Sequence, residues 1–291
     1  MREQKREPGF GNRTRDKDSG HTDRLEATVK SRNVRFPPRP PAPHNPPMHA
    51  SEVTALVLAL YDFSNTSQIA VLFTRELGKV RGLAKGAKRG DGSFQGGLDV
   101  GSVYRVRMLA KSEGLDLLTK SEMSETFPGL RTDLPALYAA FYVIELADAL
   151  TVEHDAQPEF WDAAISALRL LDRAAPRDIV LFAFEAAAMR LLGFMPRVDD
   201  CASCGGKLPA RPAFSPRIGG ALCAACAPAD PGARLVSAGG LKMLARLAEG
   251  TIPLESLNVE GRIGADLRAA FDLFWLNLLG REVKSARFLV R

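Results

Sequence analysis

From Ala50 onward the chain alternates apolar and β-branched runs with turn residues, and the period of that pattern changes once along its length. Val53–Tyr61 (VTALVLALY), Ser67–Glu76 (SQIAVLFTRE) and Lys79–Ala87 (KVRGLAKGA) predict three strands, the last two joined across Leu77-Gly78. Gly101–Lys111 and Gly114–Met123 predict two more. In the third strand Val80, Gly82 and Ala84 alternate with Lys79, Arg81, Leu83 and Lys85, so one face carries most of the charge. Five short strands ahead of any strong helical signal suggest a small antiparallel barrel.

After Phe127-Pro128-Gly129 the apolar positions recur at helical spacing. Residues 134–150 place Leu137, Phe141, Ile144 and Asp148 near one line, and PEFWDAAISALRLLDRA and PRDIVLFAFEAAAMRLLGF each open on a proline suited to a first helical turn. Leu241–Ala248 and Ile263–Leu279 predict further helices. The expected organisation is therefore α+β: a leader at 1–47, a barrel at 48–128, and a mainly helical domain at 129–291 that carries a cysteine-rich insert at 201–226.

Composition changes this picture little, but the placement of charge changes it a good deal. Residues 1–47 carry 11 Lys and Arg against 6 Asp and Glu, so the whole net charge of +5 sits there and the other 28 residues of each sign cancel. A nucleic-acid reading must then rest on local clusters. The leader, ending in RFPPRPPAPHNPPMHA, has too few apolar residues to offset the entropy of ordering it, and it reads as disordered. It is either a functional basic arm or an extension ahead of a true start at Met48. The sequence has no run of roughly 18 apolar residues and no signal-peptide pattern, so a cytoplasmic location is expected.

The strongest chemical signal is Cys201-Ala202-Ser203-Cys204 and Cys223-Ala224-Ala225-Cys226, two CxxC pairs with 18 residues between them that use every cysteine in the chain. Each CxxC turn can aim two thiolates at one ion, and two such turns complete a tetrahedral sulfur site. This reads as one structural Zn2+ in preference to two disulfides or a redox pair, which suit an oxidising compartment or need only one CxxC. Four sulfur ligands leave no position for an activated water. Catalytic constellations are lacking. His154 is the one histidine beyond the leader and its borders, and it reads as a loop or helix-end residue; Asp199-Asp200 and Glu113 with Asp116 read as loop chemistry. A phosphate-binding loop fails at Gly78-Lys79, which Val80 follows.

The stretch RELGKVRGLAKGAKR is then the main candidate binding surface. Lys79, Arg81, Lys85, Lys88 and Arg89 lie on a predicted strand and the loop after it, and Arg105 and Arg107 share one face of the next strand with Lys111. Phe73, Phe94 and Tyr104 are available for stacking on bases. The pattern alone suits a solvated hairpin face equally well.

Several stretches resemble the RecO family of recombination mediators. IAVLFTRELGKVRGLAKGAKR, FQGGLDVGSVYRV and LTKSEMSETFPGLRTDL follow the family's order, as do Cys201-x-x-Cys204-Gly205, Phe214-Ser215-Pro216-Arg217 and Gly219-Gly220 ahead of Cys223-x-x-Cys226. The resemblance implies an N-terminal OB-fold barrel and a helical domain with a zinc finger. It implies a non-enzymatic protein that binds single- and double-stranded DNA and anneals complementary strands. RecR and the single-stranded-DNA-binding protein are the implied partners, in loading RecA onto coated DNA in the nucleoid. By position, Lys79, Arg81, Lys85, Lys88 and Arg89 would belong to the DNA surface and the four cysteines would hold the metal. The chain departs from the family at Tyr61–Ser67, where a Tyr-Gly-Glu-Ser-Asp-like turn is usual. The family's docking site for the acidic tail of its partner lies in the helical domain, where Arg169, Arg173 and Arg190 are basic positions. A zinc-ribbon RNA-binding or transcription accessory protein is the competing expectation.

Overall fold

Five strands pair into a closed barrel in the order β1-β2-β3-β5-β4: β1 (Ala50–Asp62), β2 (Gln68–Thr74), β3 (Gly78–Ala84), β4 (Val103–Leu109) and β5 (Asp116–Glu125). The structure, a computed structural model, describes residues 50–89, 93–94, 97–111, 114–250, 253–254, 257, 259 and 261–289. The leader at 1–47, read as disordered, and the choice of Met48 as start lie outside those residues. The expected five strands are present, with each end moved by one to three residues. All pairings are antiparallel but one. β3 and β5 run parallel, matching Gly82 to Asp116 and Ala84 to Leu118, so the barrel closes through a pairing that hairpin logic does not foresee.

Alternation fills the barrel. Val53, Ala55, Val57, Ala70, Leu72, Val80, Val106, Met108 and Leu118 pack together inside it. The opposite faces of β1 and β2 are buried as well, because Leu56, Leu58, Val71 and Phe73 join the core of the helical domain. Burial on both faces is why those strands read as nearly continuous apolar runs.

The helical domain follows a short 3-10 turn at Pro128–Arg131 and comprises α1 (Leu134–Leu150), α2 (Pro158–Asp172), α3 (Arg177–Leu191), α4 (Ala238–Glu249) and α5 (Gly261–Leu279). Local chemistry sets several ends. Pro158 opens α2, the Ser237 hydroxyl accepts from Gly240 N–H at the start of α4, and Gly250 at φ 67° stops it. Between α3 and α4 lies a small three-stranded sheet in the order β7-β6-β8, formed by β6 (Ala213–Ser215), β7 (Gly220–Leu222) and β8 (Arg234–Leu235).

Barrel and helices meet along β2, β3 and their turn. The Trp161 indole N–H donates to Phe73 O (3.0 Å), the Phe73 and Phe160 rings lie 5.7 Å apart, and Arg75 forks onto Asp162 with both contacts at 3.0 Å. The loop after α1 runs beside β3, where His154 N–H donates to Lys79 O (2.9 Å). Gly78 makes that approach possible: its φ is 72°, and a β-carbon there would sit 2.0 Å from Asp155 O. Gly78→Ala is therefore expected to destabilise the protein by about 1–3 kcal/mol, seen as a melting point lower by several degrees. An unchanged melting point would mean that the loop moves aside without cost.

Candidate metal centre and nucleic-acid surface

The four cysteines lie on two turns beside β7: Ala202 N–H of the first donates to Ala221 O (2.7 Å), and the second begins at Cys223, directly after the strand. In the first, Cys201 N–H donates to Gly206 O (2.9 Å) and Gly205 N–H donates to Cys201 O (2.8 Å), with Gly205 at φ 70°. In the second, Cys226 and Ala227 N–H both donate to Cys223 O (3.1 and 2.9 Å). The β6–β7 hairpin brings the turns together. Its bend is held by Ser215, which donates to Asp230 and accepts from Ile218 N–H (3.1 Å). Gly220 at φ 157° lies against the backbone of Arg197, where a β-carbon would meet Arg197 O at 2.0 Å. The Phe-Ser-Pro-Arg and Gly-Gly positions are thus the turn chemistry that places the ligands.

All four sulfur atoms lie within 4.8 Å of one another, and Cys204 and Cys223 are 3.8 Å apart. A zinc ion with sulfur ligands at about 2.3 Å has tetrahedron edges of about 3.8 Å. No cysteine is in a disulfide. Donor chemistry agrees with a cation. The backbone N–H groups of Cys223 and then Cys204 lower the Cys201 thiol to about 6. Cys226 is raised to about 12: the Ser203 hydroxyl favours its thiolate, but the thiols of Cys204, Cys223 and Cys201 together outweigh it. A divalent ion bound by such a cluster holds its sulfurs as thiolates. The donor set therefore fits Zn2+, with Cys201, Cys204, Cys223 and Cys226 as ligands.

The basic positions of this stretch divide into two groups, one on β3 and one on the turn after it. Lys79 is turned toward the helical domain: its Nζ donates to Asp148 O (2.6 Å) and Asp148 Oδ1 (3.1 Å), and its side chain is only 13% exposed. Arg81 pairs with Glu153 at 2.8 Å. The loop after α1 thus lies against Lys79, whereas Arg81 stays exposed. Beyond the strand the picture differs. Lys85, Lys88 and Arg89 sit on the turn that follows Ala84, Lys88 pairs with Asp62 at 2.6 Å, and Lys85 and Arg89 form no ion pair among the described residues. The Asp62 carboxyl is lowered by the hydrogen bond from Lys88.

On β4, Arg105 and Arg107 are exposed, Arg105 lies 3.4 Å from Glu52, and Arg107 and Lys111 form no ion pair among the described residues. Phe73, Phe94 and Tyr104, expected as stacking rings, are all buried in core and cannot meet a base. The exposed aromatics of the barrel are instead Tyr61 and Phe63, at the end of β1. Alternation could have placed Tyr61 outside, opposite Leu60, but the exposure of Phe63 depends on the loop. On the helices, Arg169 is forked onto Glu125 with both contacts at 2.7 Å, while Arg173 and Arg190 form no ion pair among the described residues.

The expected loop roles are visible where they can be described. Asp116 accepts from Lys111 N–H (3.0 Å), Asp200 pairs with Arg197, and His154 is exposed at φ 57°. Glu113 lies outside the described residues. One charged residue escaped the sequence reading altogether. Glu185 on α3 is wholly buried and accepts from Tyr142 Oη (2.5 Å), Trp275 Nε1 (2.7 Å) and both terminal nitrogens of Arg268 (2.6 and 2.9 Å). The sequence signal was a lone acid inside FAFEAAAMRLL, a helix apolar nearly all round.

Comparison with known proteins adds the family. Residues 48–127 match the family described as Recombination protein O N terminal, and residues 131–287 match Recombination protein O C terminal. The DNA repair protein RecO of Anaeromyxobacter dehalogenans strain 2CP-C is 36% identical over 248 residues, covering 83% of this chain and 96% of that protein. That of Rhodopirellula baltica is 35% identical over 211 residues, covering 71% and 78%. That of Myxococcus xanthus is 32% identical over 240 residues, covering 81% and 96%. With both matches in order along one chain and relatives 32–36% identical over most of its length, this chain belongs to the RecO family of DNA repair proteins.

Proposed function

We propose that the protein is a non-enzymatic recombination mediator that binds single- and double-stranded DNA and anneals complementary strands in the cytoplasm. In this reading it works with RecR to help load RecA onto DNA coated by single-stranded-DNA-binding protein. Family membership together with cationic side chains on the barrel that form no ion pair among the described residues, Lys85, Arg89 and Arg107, carries it. Lys88 and Arg105 join them, because exposed ion pairs such as those with Asp62 and Glu52 contribute little and exchange readily for phosphate. Arg81 joins them too, since its pair with Glu153 is comparably exposed, whereas Lys79, covered and bonded to Asp148, is assigned to the junction. One structural Zn2+ on the four cysteines completes the proposal.

Phosphate contacts should dominate and base identity should matter little. A cationic surface that holds two strands close screens their repulsion while leaving base edges free to pair. If four to six phosphates are engaged, log affinity for single strands falls against log salt with a slope of about −3 to −4. Changing Lys85, Arg89 and Arg107 together to Ala should weaken binding and flatten that slope by about 2, as read by anisotropy of a labelled oligonucleotide. An unaltered slope and intact annealing would remove these residues from the DNA surface. An RNA oligonucleotide that competes equally for the same probe would favour the RNA-binding alternative.

A further inference from the structure

We propose that Tyr61 and Phe63 form a stacking platform for unpaired bases at the rim of the barrel, beside the cationic turn Lys85–Arg89. The inference rests on the strand-binding reading above and adds to it the groups that contact the bases. These rings are 60% and 58% exposed, whereas Phe73, Phe94 and Tyr104 of the same barrel are buried. Two rings left in water on a domain that buries its other aromatics mark a contact surface, and charge complementarity names the partner.

The loop that carries Phe63 is held in place. Phe63 N–H and Ser64 N–H donate to Ser67 O (3.0 and 3.1 Å), and Ser64 Oγ accepts from Ser67 N–H (3.2 Å) and Thr66 N–H (3.4 Å). Three further contacts tie it to the turn after β3. Lys88 N–H donates to Thr66 O (3.1 Å), Gly86 N–H donates to Ser67 Oγ (3.2 Å), and Lys88 Nζ meets Asp62 at 2.6 Å. The one acid between the rings is thereby neutralised by Lys88, and Lys85 and Arg89 remain without ion pairs among the described residues. The loop that carries the rings and the turn that carries the cations are thus held together on one rim before any ligand arrives. That combination suits a single strand: phosphates meet Lys85 and Arg89 while successive bases stack on Tyr61 and Phe63. Paired bases, already stacked in a duplex, gain nothing from the rings.

The test compares the full chain, Tyr61→Ser/Phe63→Ser and Lys85→Ala/Arg89→Ala on two labelled probes, an oligothymidine and an abasic oligomer of the same length and charge. The unaltered chain should prefer the oligothymidine by about tenfold for each base stacked. The ring variant should lose that preference and keep its salt slope, whereas the charge variant should keep the preference and flatten the slope. Because both rings are exposed, an unchanged melting point will certify the fold of the ring variant. Equal affinity of the unaltered chain for the two probes overturns the platform and leaves the strand-binding reading standing, with the rings then free for a protein partner. A preference that survives in the ring variant also overturns it. Failure to bind either probe overturns both.

Discussion

Cys201→Ser or Cys223→Ser is expected to abolish stoichiometric zinc and unfold the lobe between α3 and α4, with the barrel left folded. Beyond Phe214 and Ala221, which pack into the core of the helical domain, the lobe has little else to hold it. Its own apolar cluster consists of Cys201, Ala213 and Leu222 with small or partly buried neighbours, two of them the ligands Cys223 and Cys226. Its strands are only two or three residues long. A core this small does not offset the entropy of ordering its chain, so the metal must supply the difference. Zinc binding to such sites is worth about 10–16 kcal/mol, most of it expressed as folding energy. Elemental analysis should fall from about one zinc per chain to near zero, and limited proteolysis should cut the variant within 201–236. A strong chelator should reproduce the proteolytic pattern in the unaltered protein. Full zinc content in Cys223→Ser would exclude the four-sulfur site. Strand binding through Lys85, Arg89 and Arg107 should persist in the variant, since these residues belong to the barrel.

The second large effect is expected at Arg268. Replacing it with Ala should cost about 3–5 kcal/mol, because the partner carboxylate of Glu185 would stay buried without its counter-charge. For a domain of this size that lowers the melting point by roughly 10 °C. The guanidinium is also enclosed by the Tyr142, Phe182 and Phe271 rings, 5.5–5.8 Å from each centroid, so Ala leaves a cavity as well as a charge. Burial opposes the arginine's charge, but Glu185, Tyr142 and Asp272 together raise its pKa, and the ion is held charged. The network joins three helices: Tyr142 from α1, Glu185 from α3, and Arg268 with Trp275 from α5. The double variant Glu185→Gln/Arg268→Met should recover most of the loss. Gln retains an acceptor for Tyr142 and Trp275, and Met fills the aromatic enclosure without a charge. A double variant no more stable than Arg268→Ala would show that packing around the arginine, and not the uncompensated carboxylate, sets the cost.

Most of the elements were legible in the sequence because their causes are local. Period-two alternation marks the strands, proline and serine mark helix starts, and CxxC spacing marks the ligands whatever surrounds them. Where the surroundings matter, local pattern runs out. Phe73 and Tyr104 have the residue type of a stacking ring, yet long-range packing decides that they fill cores. The strand β3 runs parallel to β5 because residues far apart in sequence meet, and no hairpin rule encodes that.

The sequence by itself determined the order of the barrel strands and of the main helices, the family and the two CxxC pairs of a candidate metal centre. Each depends on residue type and spacing along the chain. Only the tertiary structure decided which basic side chains are free. Alternation in the sequence puts Lys79 and Lys85 on one face of a single strand, but the strand ends at Ala84: Asp148 and the loop after α1 cover Lys79, while Lys85 lies on the turn beyond. Alternation specifies a face; what lies against that face depends on how distant segments pack. The same packing ties the loop after β1 to the turn that carries Lys88, and it alone turns Glu185 into the acceptor that three helices share.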